Sequence, residues 1–385
     1  MCLAAFETGV LECPIVITSD MEYRRLPGAE LDVSAVSLGT LGFVRANLTA
    51  RAIAELVNRA LDGGINLMDT AYVYANGEIE KAVGPVVEKR RDEVHVLTRC
   101  HFRALDGFKE TFEGSFERLR TDYIDIFELH DVGTDAEYDK LVKGGVCDFV
   151  REAVEQGRVG CVGISTHGSR ALMERIITSR RFKVVTLAYN LTGTKRSHAD
   201  RESVTDTADV IMPLARECGC GVTVMKPFAG GTLLQPAPDG TQLTAGECLR
   251  YVLGNPHVST VSPGLESAEQ IDEALAAGRR GAELSADALR ALEDKGRLWG
   301  QHFCRRCGYC LPCKEGIEIP GVMKILEYYR GAGDDETKQK SVRERYAALK
   351  VKASACAECG ECEDRCPYEL PIADRMKEAA RVFEP

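Results

Sequence analysis

From residue 35 to about 277 short apolar runs alternate with amphipathic stretches. The runs Ala35–Leu38, Ile65–Met68, Val94–Thr98, Ile124–Leu129, Val159–Ile164, Val184–Ala188, Gly221–Met225 and Val258–Val261 have the length and boundaries of strands. Between them, Ala50–Leu61, Glu78–Glu88, Phe108–Leu119, Phe149–Gln156 and Ser267–Ala276 repeat apolar positions at helical spacing. Thr49 is a hydroxyl cap for the first of these helices, and Gly63-Gly64 stand just past its end. Eight strands, each followed by a helix, over roughly 250 residues is the count for a closed parallel (β/α)8 barrel. An open doubly wound sheet is the rival, but no G-x-G-x-x-G follows the first strand. Ahead of the barrel, two short strands are expected around the Pro27-Gly28 turn, starting at Met21, whereas residues 1–20 carry no periodic pattern and are expected to be a tail. After it, Ser285–Leu298 is a helix capped by Ser285. The division expected is therefore a tail over 1–20, a barrel over 21–297 and a second domain over 298–385.

Cysteine changes the picture beyond that boundary. The chain of 385 residues has 16 cysteines, eight of them in the last 82 residues. Cys304, Cys307, Cys310 and Cys313 are spaced C-x2-C-x2-C-x2-C, and Cys356, Cys359, Cys362 and Cys366 are spaced C-x2-C-x2-C-x3-C with Pro367 following. The second spacing is the bacterial ferredoxin run for a [4Fe–4S] cluster, in which one tight loop offers three thiolates and the cysteine before proline serves the other cluster. Applied here, Cys304, Cys307 and Cys310 share a cluster with Cys366, and Cys356, Cys359 and Cys362 take Cys313. The first cassette departs from the run in its last gap and in having Lys314 where proline is expected. Structural zinc would call for pairs separated by a longer loop. Disulfides would call for a secretory context, and Glu7 and Glu12 interrupt the N-terminal stretch. Two [4Fe–4S] clusters in a small helical ferredoxin-like domain are expected, in a cytoplasmic protein. The other eight cysteines, Cys100 among them, are expected to be small buried apolar residues. Between the cassettes, 321–350 is charged and expected to form helix, a loop around Gly331–Asp335, and helix. A net charge of −10 argues against nucleic acid or an anionic membrane surface as principal partner. No stretch of about 18 apolar residues provides a membrane span.

Barrel chemistry sits where strands end, at the C-terminal rim. The second strand ends in Asp69-Thr70-Ala71, with Tyr74 beyond; the third ends in Arg99; the fourth ends in His130. An acid, a phenol, a cation and an imidazole thus reach one rim from adjacent strands. A phenol, of ordinary pKa about 10, becomes a usable proton donor where a cation stabilises its phenolate. Asp69 would hold that cation, and His130 would orient a substrate carbonyl or pass a proton.

At these residues the sequence resembles the aldo/keto reductase family, in its branch with a C-terminal iron–sulfur domain. The resemblance rests on Gly64–Ala71 with Tyr74 and Glu78, on Arg118–His130, Gly160–His167 and Met225–Gly231, and on the two cassettes. It implies a TIM barrel that binds NADP(H) or NAD(H) and reduces a small aldehyde or ketone, with Asp69, Tyr74, Arg99 and His130 as catalytic tetrad. Arg99 stands where the family has lysine. The resemblance also assigns Ser165, Asn190, Lys226, Gly230, Pro263, Gly264 and Gln270 to the cofactor, Ser165 holding the carboxamide. Lys226, the Gly230-Gly231 pair and Pro263-Gly264 lie in the loops after strands seven and eight, where barrels commonly take phosphates. Thr186 replaces a glutamine of the carboxamide site. Gly264 and Gln270 replace the basic residues that receive the 2′-phosphate, and Glu266 adds negative charge, so both nicotinamide cofactors stay open. The reading is an oxidoreductase whose clusters transfer electrons or stabilise the C-terminal domain. The alternative is an electron-transfer protein, docking a redox partner, on a barrel with altered reductase activity.

Overall fold

The computed structural model describes residues 20–192, 207–236, 240, 242–300, 304, 310–366 and 370–384, with the side chains of 297–300 left aside. Cys2, Cys13, Cys307 and Pro367 lie outside the described residues.

A hairpin of β1 (Tyr23–Leu26) and β2 (Leu31–Ser34) precedes eight parallel strands. These are β3 (Leu38–Gly39), β4 (Leu67–Asp69), β5 (His95–Cys100), β6 (Ile124–Leu129), β7 (Val159–Thr166), β8 (Val184–Ala188), β9 (Gly221–Met225) and β10 (Thr260–Ser262), each paired with its successor. Parallel bridges from Val36 to Val261 and from Gly39 to Gly264 join the first strand to the last. The expected eight-stranded (β/α)8 architecture is therefore what the chain adopts. At the seam the backbones pack closely: a Cβ on Gly39 would lie 2.3 Å from the Pro263 carbonyl oxygen.

Three strands coincide with their expected bounds, and others start later. Their first amides are already committed. The N–H groups of Gly64 and Ile65 donate to Leu61 and Ala60, finishing the preceding helix, so β4 begins at Leu67. Likewise Val258 donates back to Asn255 in a turn, and β10 begins at Thr260. The helix after β3 spans Ala50–Asp62 and is capped as expected, Thr49 accepting from the Ala52 amide at 3.3 Å. The helix Ala286–Gly300 likewise begins with Ser285 accepting from the Ala288 amide.

The hairpin closes the barrel floor. Leu26 and Val33 pack with Leu67, Leu97, Ile126, Cys161 and Val184, all buried. Gly28 makes its turn at φ +77°, and a Cβ there would stand 2.5 Å from the Lys183 carbonyl oxygen. Sealing the floor leaves the opposite rim as the open end.

The C-terminal residues build a separate apolar cluster of Ile317, Val322, Met323, Leu326, Tyr346, Leu370 and Met376, with Cys304 and Cys310 buried in it. Helices Ile319–Gly331 and Glu336–Ala347 answer to the expected helix, loop and helix. A third helix, Ile372–Phe383, closes the cluster through Met376 and Ala379. No helix among the described residues is long and apolar enough to cross a membrane.

Candidate active site and iron–sulfur centre

The rim brings the four tetrad positions together. Asp69 ends β4, Arg99 lies in β5 and His130 follows β6. Tyr74 sits on a sharp turn in which Ala75, Asn76 and Gly77 all have positive φ, of 52°, 54° and 88°. Two of these carry a Cβ, a strained arrangement of the kind found at functional loops. The turn is tied to the barrel by Glu80, fully buried, which takes hydrogen bonds from Thr98 Oγ1 at 2.6 Å and Arg118 Nε at 2.8 Å.

Arg99 is only 2 % exposed and lies between two carboxylates. Its Nη2 is 2.7 Å from Asp69 Oδ1, and its Nε is 3.0 Å from Glu128 Oε2. The guanidinium is thus ion-paired on two sides, through two different nitrogens. Burial works against that charge, but Asp69, Glu128 and Tyr74 outweigh it and raise the Arg99 pKa. Two carboxylates against one cation leave a surplus negative charge. Burial, reinforced by Asp69 against the pull of Arg99, pushes Glu128 up to about 7.

Tyr74 lies in the field of the same charged groups. Burial pushes its phenol up to about 12, and Arg99 offsets only part of this because Asp69 and Glu128 already spend its charge. The phenol is a neutral acid at every physiological pH. The His130 ring is edge-on to it, with centroids 6.4 Å apart. Burial, followed by the fields of Arg99, His101, Arg103 and His167, lowers His130 to about 3, so the imidazole is neutral. Its Nδ1 is buried without a hydrogen-bond partner. The Cys100 thiol is buried and pushed up to about 11, in keeping with packing.

Of the positions assigned to the cofactor, Ser165 lies near the end of β7, Gln270 in the helix Ala268–Ala277, and the others follow the ends of β8, β9 and β10. Ser165 is buried, its Oγ accepting from the Asp131 amide at 2.9 Å, which leaves its O–H free to donate. The Asn190 amide is bound within the protein, donating to the Lys226 carbonyl and accepting from Thr192. Lys226 is exposed, with its ammonium 2.9 Å from His167 Nε2. Gly230 and Gly231 have φ of 76° and 97°, and a Cβ on either would meet nothing within 4 Å. Their role is the turn itself rather than lack of space. Pro263 and Gly264 belong to the barrel seam. Gln270 accepts from the Glu266 amide at 2.8 Å, fastening the loop that would face a 2′-phosphate. Thr186 is not at the rim surface: it is buried, and its hydroxyl bonds Glu128 and Thr223.

Sequence reading missed Glu128 as a partner of Arg99. The signal was present: Glu128 precedes His130 by two residues, hence shares its strand face, and an arginine inside a barrel strand demands compensating charge.

A matching model of the aldo/keto reductase family covers residues 35–244, more than half of the chain. The chain belongs to the aldo/keto reductase family. A 4Fe-4S dicluster domain matches residues 303–371. An uncharacterized oxidoreductase of Bacillus subtilis, YqkF, is 24% identical over 315 residues, 71% of this chain and 96% of the relative. The B. subtilis aldo-keto reductase YhdN is 29% identical over 161 residues, 38% of this chain and 47% of its own length. Among solved structures, the holo form of aldo-keto reductase AKR11C1 from Bacillus halodurans superposes with a TM-score of 0.58 at 22% identity, over 71% of this chain and 96% of that one. An aldo/keto reductase from Klebsiella pneumoniae, solved with NADP and acetate, gives 0.58 at 22% identity, over 74% and 96%. These structures share the reductase barrel fold.

A small pocket lies against the second cassette. Cys313, Cys356, Cys359 and Cys362 line it, with Ile317, Ile319 and Met376 as apolar wall. The loop of the second cassette and the last cysteine of the first thus face one space. Among the described residues no three potential ligands converge on one point as a lone ion requires. Three thiols from one loop and a fourth from the other cassette are the kind of ligand set a [4Fe–4S] cluster takes. Cys304 and Cys310 are buried in the C-terminal apolar cluster, and Cys313, Cys356, Cys362 and Cys366 all pack against it. The two cassettes are tied by Arg365, which donates to the Glu361 and Pro312 carbonyls, and by a Lys314–Glu361 ion pair.

Proposed function

We propose that this family member reduces a small aldehyde or ketone with a nicotinamide cofactor, in the cytoplasm. The observation that carries the reading is the meeting of Asp69, Tyr74, Arg99 and His130 at the open end of a barrel whose other end is sealed. Bound nicotinamide supplies the hydride. The chain's own residues handle the proton and the charge. Tyr74 donates its phenolic proton to the carbonyl oxygen as that oxygen gains negative charge. Arg99, held by two carboxylates, stabilises the phenolate left behind. Neutral His130 orients the carbonyl through a ring N–H. Ser165 donates to the carboxamide, and Lys226 with the Gly230-Gly231 turn serves the pyrophosphate. Two [4Fe–4S] clusters are assigned to the eight cassette cysteines, with Cys313 serving the second cassette and Cys366 the first. Held there, the clusters would supply one-electron transfer to or from a partner, or hold the C-terminal domain together. The domain bounds 21–297 and 298–385 go with this division of labour.

Oxidation of NADH and NADPH against a panel of small carbonyls, in anaerobic protein, tests the reading. Tyr74→Phe is expected to lower kcat about 10²–10⁴-fold, the usual weight of a general acid. Turnover that survives Tyr74→Phe refutes the assignment. One observation favours the second reading, an electron-transfer protein: Cys313 of the first cassette and Cys356, Cys359 and Cys362 of the second line one pocket. That reading expects no carbonyl turnover, together with reduction of the clusters by a partner protein.

A further inference from the structure

Arg99 occupies a seat that other parts of the barrel have been shaped to make. Arg99 and Glu128 are register neighbours on β5 and β6. On the far side of Glu128, its register neighbour on β7 is Gly163. A Cβ on Gly163 would stand 2.7 Å from Glu128 Cγ and 3.2 Å from Oε1, so only glycine leaves room for the glutamate side chain. Glu128 Oε1 then accepts from Thr186 Oγ1 at 2.5 Å, and Thr186 bonds Thr223 Oγ1, also at 2.5 Å. A polar chain therefore crosses the barrel from Asp69 on β4 through Arg99, Glu128 and Thr186 to Thr223 on β9, every member buried. A lysine at position 99 would offer one point charge on a flexible stem; the planar guanidinium meets the two carboxylates with two different nitrogens.

We propose that Glu128, seated by Gly163, Thr186 and Thr223, is a positioning residue for the site: with Asp69 it fixes the Arg99 guanidinium beneath Tyr74. This rests on the carbonyl-reducing reading only for its kinetic consequence. The seat also accounts for the departure from lysine, since arginine and glutamate form one unit.

The test uses the full anaerobic protein with both cassettes. Glu128→Leu removes the oxygens near Nε and is expected to lower kcat about tenfold or more with KM within about threefold, because a misplaced group costs the transition state rather than substrate binding. Glu128→Gln keeps an oxygen at that place and is expected to recover at least about a third of wild-type kcat. Wild-type kcat in Glu128→Leu, or equal losses in both variants, overturns the proposal. A second measurement does not depend on turnover. In [15N]arginine-labelled protein, the Arg99 Nε–H signal, assigned by its loss in Arg99→Lys, is expected to shift in Glu128→Leu and to hold its position in Glu128→Gln. An unmoved signal in Glu128→Leu also overturns the proposal. If the wild-type protein turns over no carbonyl, the function reading fails, and the arginine signal still decides whether Glu128 positions Arg99.

Discussion

Glu128→Gln should change how the stability of this protein depends on pH. The carboxyl is fully buried beside Arg99 and Asp69, and its pKa rises from an ordinary 4.5 to about 7. Between those values the folded protein keeps a proton that the unfolded chain has released, so stability falls as pH rises. A rise of that size, at 1.36 kcal/mol per pH unit, amounts to about 3 kcal/mol, present in full below pH 4.5 and lost by the time the pH passes 7. Glutamine carries no ionisable proton, so the variant escapes this loss. Relative to wild type, it should gain about 3 kcal/mol on going from pH 5 to pH 8, roughly 1 M in urea midpoint at an m of about 3 kcal/mol per M. Anaerobic urea unfolding of both proteins at the two pH values measures it, and the C-terminal domain, common to both, cancels in the comparison. A midpoint difference that is the same at pH 5 and pH 8 would refute the charge balance drawn around Arg99. The kinetic counterpart is an inflection near pH 7 that the variant lacks; His130, already neutral down to about 3, contributes none.

Cys313→Ala should remove one ligand of the second-cassette cluster and take iron from about eight to about four per chain, measured on anaerobic protein; an unchanged iron content would reject the crossed ligand assignment. Glu266→Lys places a cation in the loop that Gln270 fastens and should tighten NADPH about tenfold relative to NADH by fluorescence titration, one ion pair of about 1.4 kcal/mol; equal changes for the two cofactors would place the 2′-phosphate elsewhere. Gly28→Ala forces a Cβ against the Lys183 carbonyl at a φ of +77° and should lower barrel stability by about 2 kcal/mol in the same urea assay; a neutral result would show that the hairpin floor yields.

Period and spacing alone determined the barrel and the iron–sulfur cassettes. Eight apolar runs separated by helical stretches admit few other folds, and cysteines at two-residue gaps announce their chemistry because the ligands are close in sequence. The order Asp69, Tyr74, Arg99, His130 was likewise legible, since barrel strand ends share one rim whatever lies between them. The charge state of that rim was not. Whether Tyr74 is activated depends on how many carboxylates share Arg99, and Glu128 meets Arg99 only through the register of β5 with β6. Thr186 shows the same limit: the sequence marked it as the replacement of a carboxamide-binding glutamine, and only the fold shows its hydroxyl bonded to Glu128. Burial and cross-strand distance set the field at a buried group, and neither quantity exists until the chain has folded.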